Sequence, residues 1–321
     1  MTICFRKIAL TPFLLLFFWC TSQAQIYPSK PIRVIVSFPP GGSSDLIARA
    51  IAPHMSSHLG QAVVVENKPG AGGMLGVDQV AKAAPDGYTI GLAAAGALSS
   101  NVSLYPKMPF DPQKDLAPVS TLAMIPFFLV ANPSLPPTLK EVLQLARQKD
   151  LSYGHGGNGS TMHLAGELLN MMAHVKIQPV PYKGSGPVSA DVLGGQVPLG
   201  VVDVPSAISA VKAGKMRALA VTSKKRIEAA PDVPTFEEAG VPGYEAIGWF
   251  GVVAPNDTPK PIVDRLNKEI AGALGDPDIR RRAIAAGTEP LTTTPEEFAT
   301  MIREETKKWA QVIKEGGIKL Q

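Results

Sequence analysis

The sequence predicts an α/β protein of two domains, in which parallel or mixed sheets are wrapped by helices. Its 321 residues exceed what one small core needs and suit two domains of roughly 100–200 residues each. From Lys30 onward, short apolar runs typical of strands alternate with helical patterns, which favours sheets connected through helices. Hydrophobic residues make up 45% of the chain and charged residues 18%, as in compact rather than disordered proteins.

The stretch Val34–Arg49 predicts a strand, a glycine loop and a helix in succession. The apolar run Val34–Phe38 suits a buried parallel strand. Gly41 and Gly42 let the backbone approach a bound molecule closely, and Ser43–Asp45 can cap the following helix. Such a helix N-terminus has unpaired N–H groups and can hold a carboxylate. The alternative is that the joint only turns the chain.

The remaining first half continues this alternation. Pro85–Gly87 forms a turn that stops a helix, and Pro126 marks an irregular strand start and a possible crossing between domains. The predicted elements are a helix at Asp45–Leu59, a strand at Ala62–Glu66, a helix from Gly70 to Ala83, a strand at Tyr88–Ala95, a small-residue loop at Ala94–Asn101 and a strand at Thr121–Ala131.

The second half contains another joint of the same design, where the glycine cluster Gly154–Gly159 separates a short strand from a helix. The apolar run Trp249–Ala254 is interpreted as a strand that crosses back to the first domain. The predicted helices are Leu139–Gln148, Ser160–Met172, a short helix ending at Leu193, Ala207–Ala213, Pro261–Leu274, Ile279–Ala286 and Pro295–Glu315, and the other strands are Leu151–Tyr153, Ile177–Tyr182, Val197–Val202 and Arg217–Thr222.

Residues 1–24 have the features of a secretory signal peptide. Arg6 and Lys7 precede an apolar stretch, and small residues allow cleavage after Ala24. The stretch is shorter than the ~20 residues that span a membrane, and the bulky Trp19 before Cys20 argues against lipid attachment. Both cysteines fall inside this segment, which excludes disulfide and thiolate chemistry in the mature chain. The formal net charge of +4 becomes +2 when Arg6 and Lys7 are removed with the signal peptide. No run of like charges is long enough to indicate nucleic-acid binding.

Several patterns that could indicate catalysis or cofactor binding lack the accompanying residues or the spacing that such sites require. The G-x-G-x-x-G pattern at Gly154–Gly159 lacks the acidic residue that a dinucleotide site needs in the next strand. No G-x-S-x-G elbow is present, and His155 and His163 are eight residues apart, unlike a helical zinc pair. Nothing in the sequence indicates that Glu66 and Asp203 come together as the carboxylate pair of a glycosidase or another hydrolase. Three glycine-rich helix starts remain as anion sites, at Gly41–Asp45, Gly156–Thr161 and Lys183–Pro187.

Ordered blocks along essentially the whole mature chain resemble the substrate-binding proteins of tripartite tricarboxylate transporters, the Bug or TctC-like family. The blocks are Phe38–Arg49, Val65–Gly73, Pro85–Thr89, Gly157–Ser160, His163–Glu167, Pro181–Gly184, Leu219–Thr222, Asp232–Thr235, Glu238–Gly240 and Trp249–Gly251. The resemblance implies a type II periplasmic-binding architecture, with two lobes closing around a small carboxylate and no catalysis. It also implies a transporter or sensor partner.

The resemblance further implies lobe boundaries and binding residues. The expected first lobe is 25–125 plus 255–321, and the second is 126–254 with both crossover strands. The expected ligand-binding residues come from both lobes: Phe38, Gly41, Gly42, Ser43, Ala94, Gly96, His155, Gly157, Asn158, Gly159, Ser160, Thr161 and Asp203. In amino-acid-binding relatives, a carboxylate near Asp203 can meet the ligand ammonium. The expected protein is a periplasmic monomer without cofactor or metal.

Two departures from the family pattern bear on specificity. Many relatives have serine at His155 and hydroxyl residues among Ala93–Ala97. Fewer hydroxyl donors favour a less polar ligand, so monocarboxylates and aromatic carboxylates join dicarboxylates and amino acids as candidates. His155 is either an added donor or a structural residue. The rival interpretation is a secreted α/β hydrolase-like enzyme using Asp203, His155 and Ser160.

Overall fold

A computed structural model describes residues 27–285 and 287–319. The predicted signal peptide, residues 1–24, lies outside this range. Within the described part of the chain, no helix is both long enough and apolar enough to cross a membrane. Two separate sheets, each covered by helices, confirm the predicted two-lobed α/β fold.

The first sheet has six strands: β1 Ile32–Val36, β2 Val63–Asn67, β3 Thr89–Ala94, β4 Leu116–Ile125, β10 Gly248–Pro255 and β11 Glu289–Pro290. Their order across the sheet is β11-β4-β10-β3-β1-β2. β1 pairs in parallel with β2 and β3, whereas β10 runs antiparallel between β3 and β4.

The helices around this sheet come from both ends of the described chain. They are α1 Ser43–Leu59, α2 Met74–Ala81, α3 Asn101–Leu104, α8 Lys260–Gly275, α9 Pro277–Ala285 and α10 Pro295–Gly316. Their ends follow local sequence signals: α1 ends at Gly60 in the left-handed conformation, and Thr294 and Glu297 form a capping box at the start of α10. The C-terminal helices α8 and α10 pack on β4 and so belong to the first lobe.

The second sheet has five strands: β5 Phe127–Ala131, β6 Leu151–His155, β7 Ile177–Pro181, β8 Leu199–Asp203 and β9 Arg217–Val221. Their order across the sheet is β7-β6-β8-β5-β9. β6 pairs in parallel with β7 and β8, and β5 runs antiparallel to β8 and β9. The helices of this lobe are α4 Leu139–Ala146, α5 Thr161–Ala173, α6 Ser185–Leu193 and α7 Val204–Lys212.

The chain crosses between the sheets at Pro126. β4 ends at Ile125 in the first sheet and β5 begins at Phe127 in the second, so the predicted strand Thr121–Ala131 is two strands. A proline cannot donate a ladder hydrogen bond, which makes this residue a natural break.

The expected second lobe, 126–254, needs one correction. That expectation includes the returning strand in the second lobe, but β10 pairs with β3 and β4 in the first sheet. All eight of its residues are buried, and such a fully apolar run does not indicate which of two sheets it joins. We therefore propose that the second lobe ends before Gly248.

The predicted loop Ala94–Asn101 is helical in the structure. Gly96–Ser100 form a π-helical turn that continues into α3. The Ser99 hydroxyl donates to the Ala95 carbonyl at 2.6 Å, a local bond that a small residue can make within a helix. The segment is buried and packs beneath the cleft, with Gly96 next to the glycine loop of the second lobe.

Candidate ligand site

A cavity of about 240 Å³ lies between the two lobes. Its walls come from the loop after β1, the ends of β3, β4, β5 and β10, and the starts of α5, α6 and α7. Among the described residues that line it, none is lysine, arginine or histidine, and Asp203 is the acid. The lining residues are Phe38, Pro39, Pro40, Gly41, Gly42, Ser44, Ala94, Ile125, Phe127, Ser160, Thr161, Met162, Gly184, Ser185, Gly186, Pro187, Asp203, Ser206, Gly248, Trp249 and Phe250.

The start of α1 contacts an acid from the opposite lobe. The backbone N–H and the hydroxyl of Ser43 donate to Asp203 Oδ2 at 2.8 and 3.1 Å. A side chain at Gly42 would place its Cβ 3.1 Å from the same oxygen, so glycine gives the Asp203 carboxylate room to approach. The first predicted anion site is therefore engaged by a carboxylate of the chain itself, which fits the positive end of a helix dipole.

Asp203 is fixed at the end of β8, where it is the N-cap residue of α7. Its backbone N–H donates to the Ser185 hydroxyl at 3.1 Å. The residue is 7% exposed, and its Oδ1 atom is buried with no hydrogen-bond partner in the described part of the chain. Because Asp203 also lines the cavity, its carboxylate favours a ligand group that donates a hydrogen bond or carries a positive charge.

The start of α5 offers free donors on another wall of the cavity. The Ser160 hydroxyl accepts the backbone N–H of His163 and so caps the helix. The backbone N–H groups of Thr161 and Met162 have no acceptor within the described residues, and both residues line the cavity. These two N–H groups, at the positive end of a 13-residue helix, can bind a ligand carboxylate without an arginine or lysine.

The rest of the cavity is largely apolar and aromatic. Phe38, Phe127, Trp249 and Phe250 line it together with Ile125. Trp249 packs edge-on against Phe298, with ring centroids 5.5 Å apart, and its buried Nε1–H has no acceptor in the described chain.

The predicted binding residues separate into two groups in the structure. Seven line the cavity: Phe38, Gly41, Gly42, Ala94, Ser160, Thr161 and Asp203. The other six do not line it: Ser43, Gly96, His155, Gly157, Asn158 and Gly159. Ser43 acts through Asp203, and the glycines of the second group lie where the lobes touch.

Several lining residues were not predicted from the sequence. The aromatic residues Trp249 and Phe250 belong to a block that marked the family resemblance, but the sequence placed them in a crossover strand without a role in binding. Gly184 and Ser185 lie in the third predicted anion site, Lys183–Pro187, but are not among the individual ligand-binding residues expected from the resemblance; in the structure they line the same cavity. That shared loop chemistry was the available signal for the α6 residues.

His155 lies behind the glycine loop and not in the cavity. It is fully buried and stacks on His163 with ring centroids 4.5 Å apart. The backbone N–H groups of Gly157 and Gly159 donate to Nδ1 of His155 and of His163, respectively, both at 3.3 Å. Two stacked imidazoles thus hold the loop that begins α5, and this arrangement supports the structural role over the ligand donor.

The geometry gives the hydrolase-like interpretation no support. The Ser160 hydroxyl is used to cap α5, and Nδ1 of His155 accepts a backbone N–H. Among the described residues, neither the His155 ring nor the Asp203 carboxylate is hydrogen-bonded to the Ser160 hydroxyl, as a nucleophile and its base would be.

The histidine pair predicts a loss of stability in mild acid. Burial lowers the pKa of His155 to about 3, with the neighbouring His163 adding to the shift, and burial lowers the pKa of His163 to about 4. In the unfolded chain both titrate near pH 6.5. Below that pH the unfolded state binds more protons, so the free energy of unfolding should fall by up to about 1.4 kcal/mol per pH unit for each histidine.

Urea unfolding between pH 7 and 4.5 measures this effect. We expect the slope against pH to shrink in His155→Asn, where one buried imidazole is removed. His174→Asn, at an exposed position, is the matched control and should keep the wild-type slope. Equal slopes for His155→Asn and the wild type would contradict the attribution of the acid-induced loss of stability to the buried His155 imidazole.

Comparison with known proteins gives consistent results. The family described as "Tripartite tricarboxylate transporter family receptor" matches residues 47–318. The protein BugT of Bordetella pertussis is 39% identical over 303 residues, 93% of each chain. The structure of the periplasmic binding protein BugD is 37% identical with a TM-score of 0.87, covering 92% of this chain and 100% of that one.

A structure of an R. palustris protein with adipate is also similar, with 38% identity and a TM-score of 0.87, covering 91% of this chain and 99% of that one. The agreement of a family match over most of the chain, a full-length relative and solved structures confirms the resemblance stated from the sequence. The chain belongs to the tripartite tricarboxylate transporter receptor family of solute-binding proteins.

Proposed function

We propose that this protein captures a small molecule with a single carboxylate and a hydrogen-bond-donating or cationic group, and presents it to a membrane transporter. The observation that carries the proposal is that one cavity is lined both by the start of α5, with its free N–H groups, and by the Asp203 carboxylate. One wall suits an anion, and the other suits a donor.

Charge limits the ligand further. The described lining contains one carboxylate and no basic side chain. A second ligand carboxylate about 6 Å from Asp203 would be repelled by about 3 kcal/mol at an effective dielectric constant of 20. The adipate bound by the R. palustris relative is a dicarboxylate, so we propose that this chain differs from that protein in its preferred charge.

The walls favour an apolar or aromatic middle section in the ligand. Phe38, Phe127, Trp249 and Phe250 provide apolar and aromatic surface. An ω-amino or aromatic amino carboxylate matches these features, and so does a hydroxylated monocarboxylate. This agrees with the less polar ligand expected from the alanines at Ala93–Ala97.

Closure of the lobes supplies the signal to a partner. A ligand that contacts both α5 and Phe38 or Trp249 stabilises the closed form, because only differential affinity can shift such an equilibrium. We propose a tripartite tricarboxylate-type transporter as the reader of this form, with a sensor as the alternative, and a monomer in the periplasm as the working state. The predicted signal peptide and the family membership support this location.

A thermal-shift panel of matched ligands tests the proposal. 5-Aminopentanoate, pentanoate and glutarate have similar lengths but differ in the group opposite the carboxylate, and 4-aminobenzoate and benzoate repeat the comparison with a ring. We expect the amino compounds to raise the melting temperature most. If only di- or tricarboxylates stabilise the protein, the proposed ligand class is wrong. Native mass spectrometry of protein purified from the periplasm should identify the bound metabolite. We expect this metabolite to be chemically unchanged, as for a binding protein and not an enzyme.

A further inference from the structure

A second group of chemically active side chains lies outside the cleft, where α1 packs on α8. His54 and His58 come from α1 and Glu269 comes from α8. One ligand atom from each of the three lies within 4.8 Å of the other two. None of these residues lines the cavity between the lobes, so this cluster is independent of the proposed function.

The two histidines have the spacing of a helical metal pair. They are four residues apart on α1, with ring centroids 4.0 Å apart and an interplanar angle of 19°, so both rings lie on one face of the helix. Nδ1 of His58 lies 2.9 Å from the His54 carbonyl oxygen. Because a carbonyl can only accept, this contact fixes the proton on Nδ1 and leaves the Nε2 lone pair free for a metal.

Glu269 supplies the oxygen ligand from the neighbouring helix. It is 6% exposed, and its carboxylate lies 3.1 Å from Nε of Arg265. A Cβ at Gly272 would lie 3.3 Å from Nε2 of His54, so the glycine gives the imidazole room against α8. The helix contact thus brings together two nitrogens and one oxygen, with solvent next to the exposed His58.

We propose that His54, His58 and Glu269 bind a divalent transition-metal ion of the zinc class, with a fourth position open to solvent. Two imidazoles and one carboxylate form a set of ligands that Zn²⁺ accepts in tetrahedral geometry. Ligand atoms of such a site are about 3.3 Å apart, given metal distances near 2.0 Å, so the three side chains must move closer together on binding. The ion would link α1 to α8.

Arg265 opposes binding in this arrangement and provides a diagnostic variant. Its guanidinium neutralises Glu269, and its Nη2 donates to the His58 carbonyl at 3.0 Å. A metal ion near the same carboxylate is repelled by this charge. Replacing Arg265 with glutamine should therefore tighten metal binding, whereas a variant without a ligand should weaken it.

The test is calorimetric titration of the full mature chain, without a polyhistidine tag, with zinc chloride in a non-chelating buffer. We expect one ion per chain, binding at least about tenfold weaker in His58→Ala and in Glu269→Gln, and unchanged binding in His174→Ala. Titration with Co²⁺ should give the visible absorption of a tetrahedral site, which His54→Ala should remove. Absence of binding by the wild type, or binding kept in the His54→Ala, His58→Ala double variant, would overturn the proposal.

Discussion

Replacing Gly72 with alanine is expected to hold the two lobes apart and to weaken ligand binding by about a hundredfold. Gly72 lies before α2 in the first lobe, at φ +63. An added Cβ would overlap the carbonyl oxygen of Asn158 in the second lobe. A hundredfold loss of affinity corresponds to about 2.8 kcal/mol of binding free energy. We expect a cost of this size because two backbone segments, one from each lobe, would have to move apart.

Gly60 provides the matched control for this substitution. It has nearly the same backbone conformation, with φ +67, but nothing lies within 4 Å of its added Cβ. Both alanine variants carry the strain of a left-handed residue, about 1–2 kcal/mol, so both should unfold more easily. Small-angle scattering and ligand titration should separate them, because Gly72→Ala alone has the larger radius and the weaker binding. A Gly72→Ala protein that closes and binds normally would show that this contact does not limit closure.

The same contact changes the interpretation of the second glycine loop. Gly157 lies against Gly72, with a would-be Cβ at 3.1 Å from the Gly72 nitrogen, and Tyr105 donates its hydroxyl to the Asn158 carbonyl at 3.1 Å. The second glycine loop, expected from the sequence to bind the ligand, is thus in large part a surface where the lobes meet. Its last residues, Ser160 and Thr161, are the ones that reach the cavity.

Local sequence signals were sufficient for most of the helices and strands. The strand, glycine loop and helix at Val34–Arg49 appear as β1, a loop and α1, because apolar runs, glycines and capping residues act over a few neighbouring positions. The long amphipathic helix predicted at Pro295–Glu315 is α10, Pro295–Gly316. The three glycine-rich helix starts, predicted as anion sites, all contribute residues to the candidate cavity.

Long-range arrangement could not be predicted in the same way. The sheet to which β10 belongs depends on its pairing with β3 and β4, and the run Gly248–Pro255 is equally apolar on both faces. The bond from Ser43 to Asp203 joins residues 160 positions apart, and no periodicity indicates it. The metal-site spacing of His54 and His58 was present in the sequence, but the ligand from α8 becomes apparent only when the helices pack.

Replacing Asp203 with asparagine is expected to reverse the preference of the cavity for ligand charge. Asparagine keeps the shape of the side chain and can still accept from the backbone N–H and the hydroxyl of Ser43, which now donate to Oδ2 at 2.8 and 3.1 Å. It removes the carboxylate from the cavity wall. Affinity for a cationic monocarboxylate such as 5-aminopentanoate should fall by about tenfold or more, because a charge-assisted bond becomes a neutral one.

The same variant should gain affinity for glutarate, because the repulsion of about 3 kcal/mol between two nearby carboxylates disappears. Asp45→Asn is the matched control: it also converts a buried acid near the α1 loop to an amide, but that acid is paired with Arg49 at 2.9 Å and does not line the cavity. It should lose stability and keep the wild-type order of ligands. Titration of the wild type, Asp203→Asn and Asp45→Asn with 5-aminopentanoate and glutarate tests whether Asp203 selects the ligand by charge. If Asp203→Asn keeps the wild-type order of affinities, the Asp203 carboxylate serves to join the lobes and does not select the ligand.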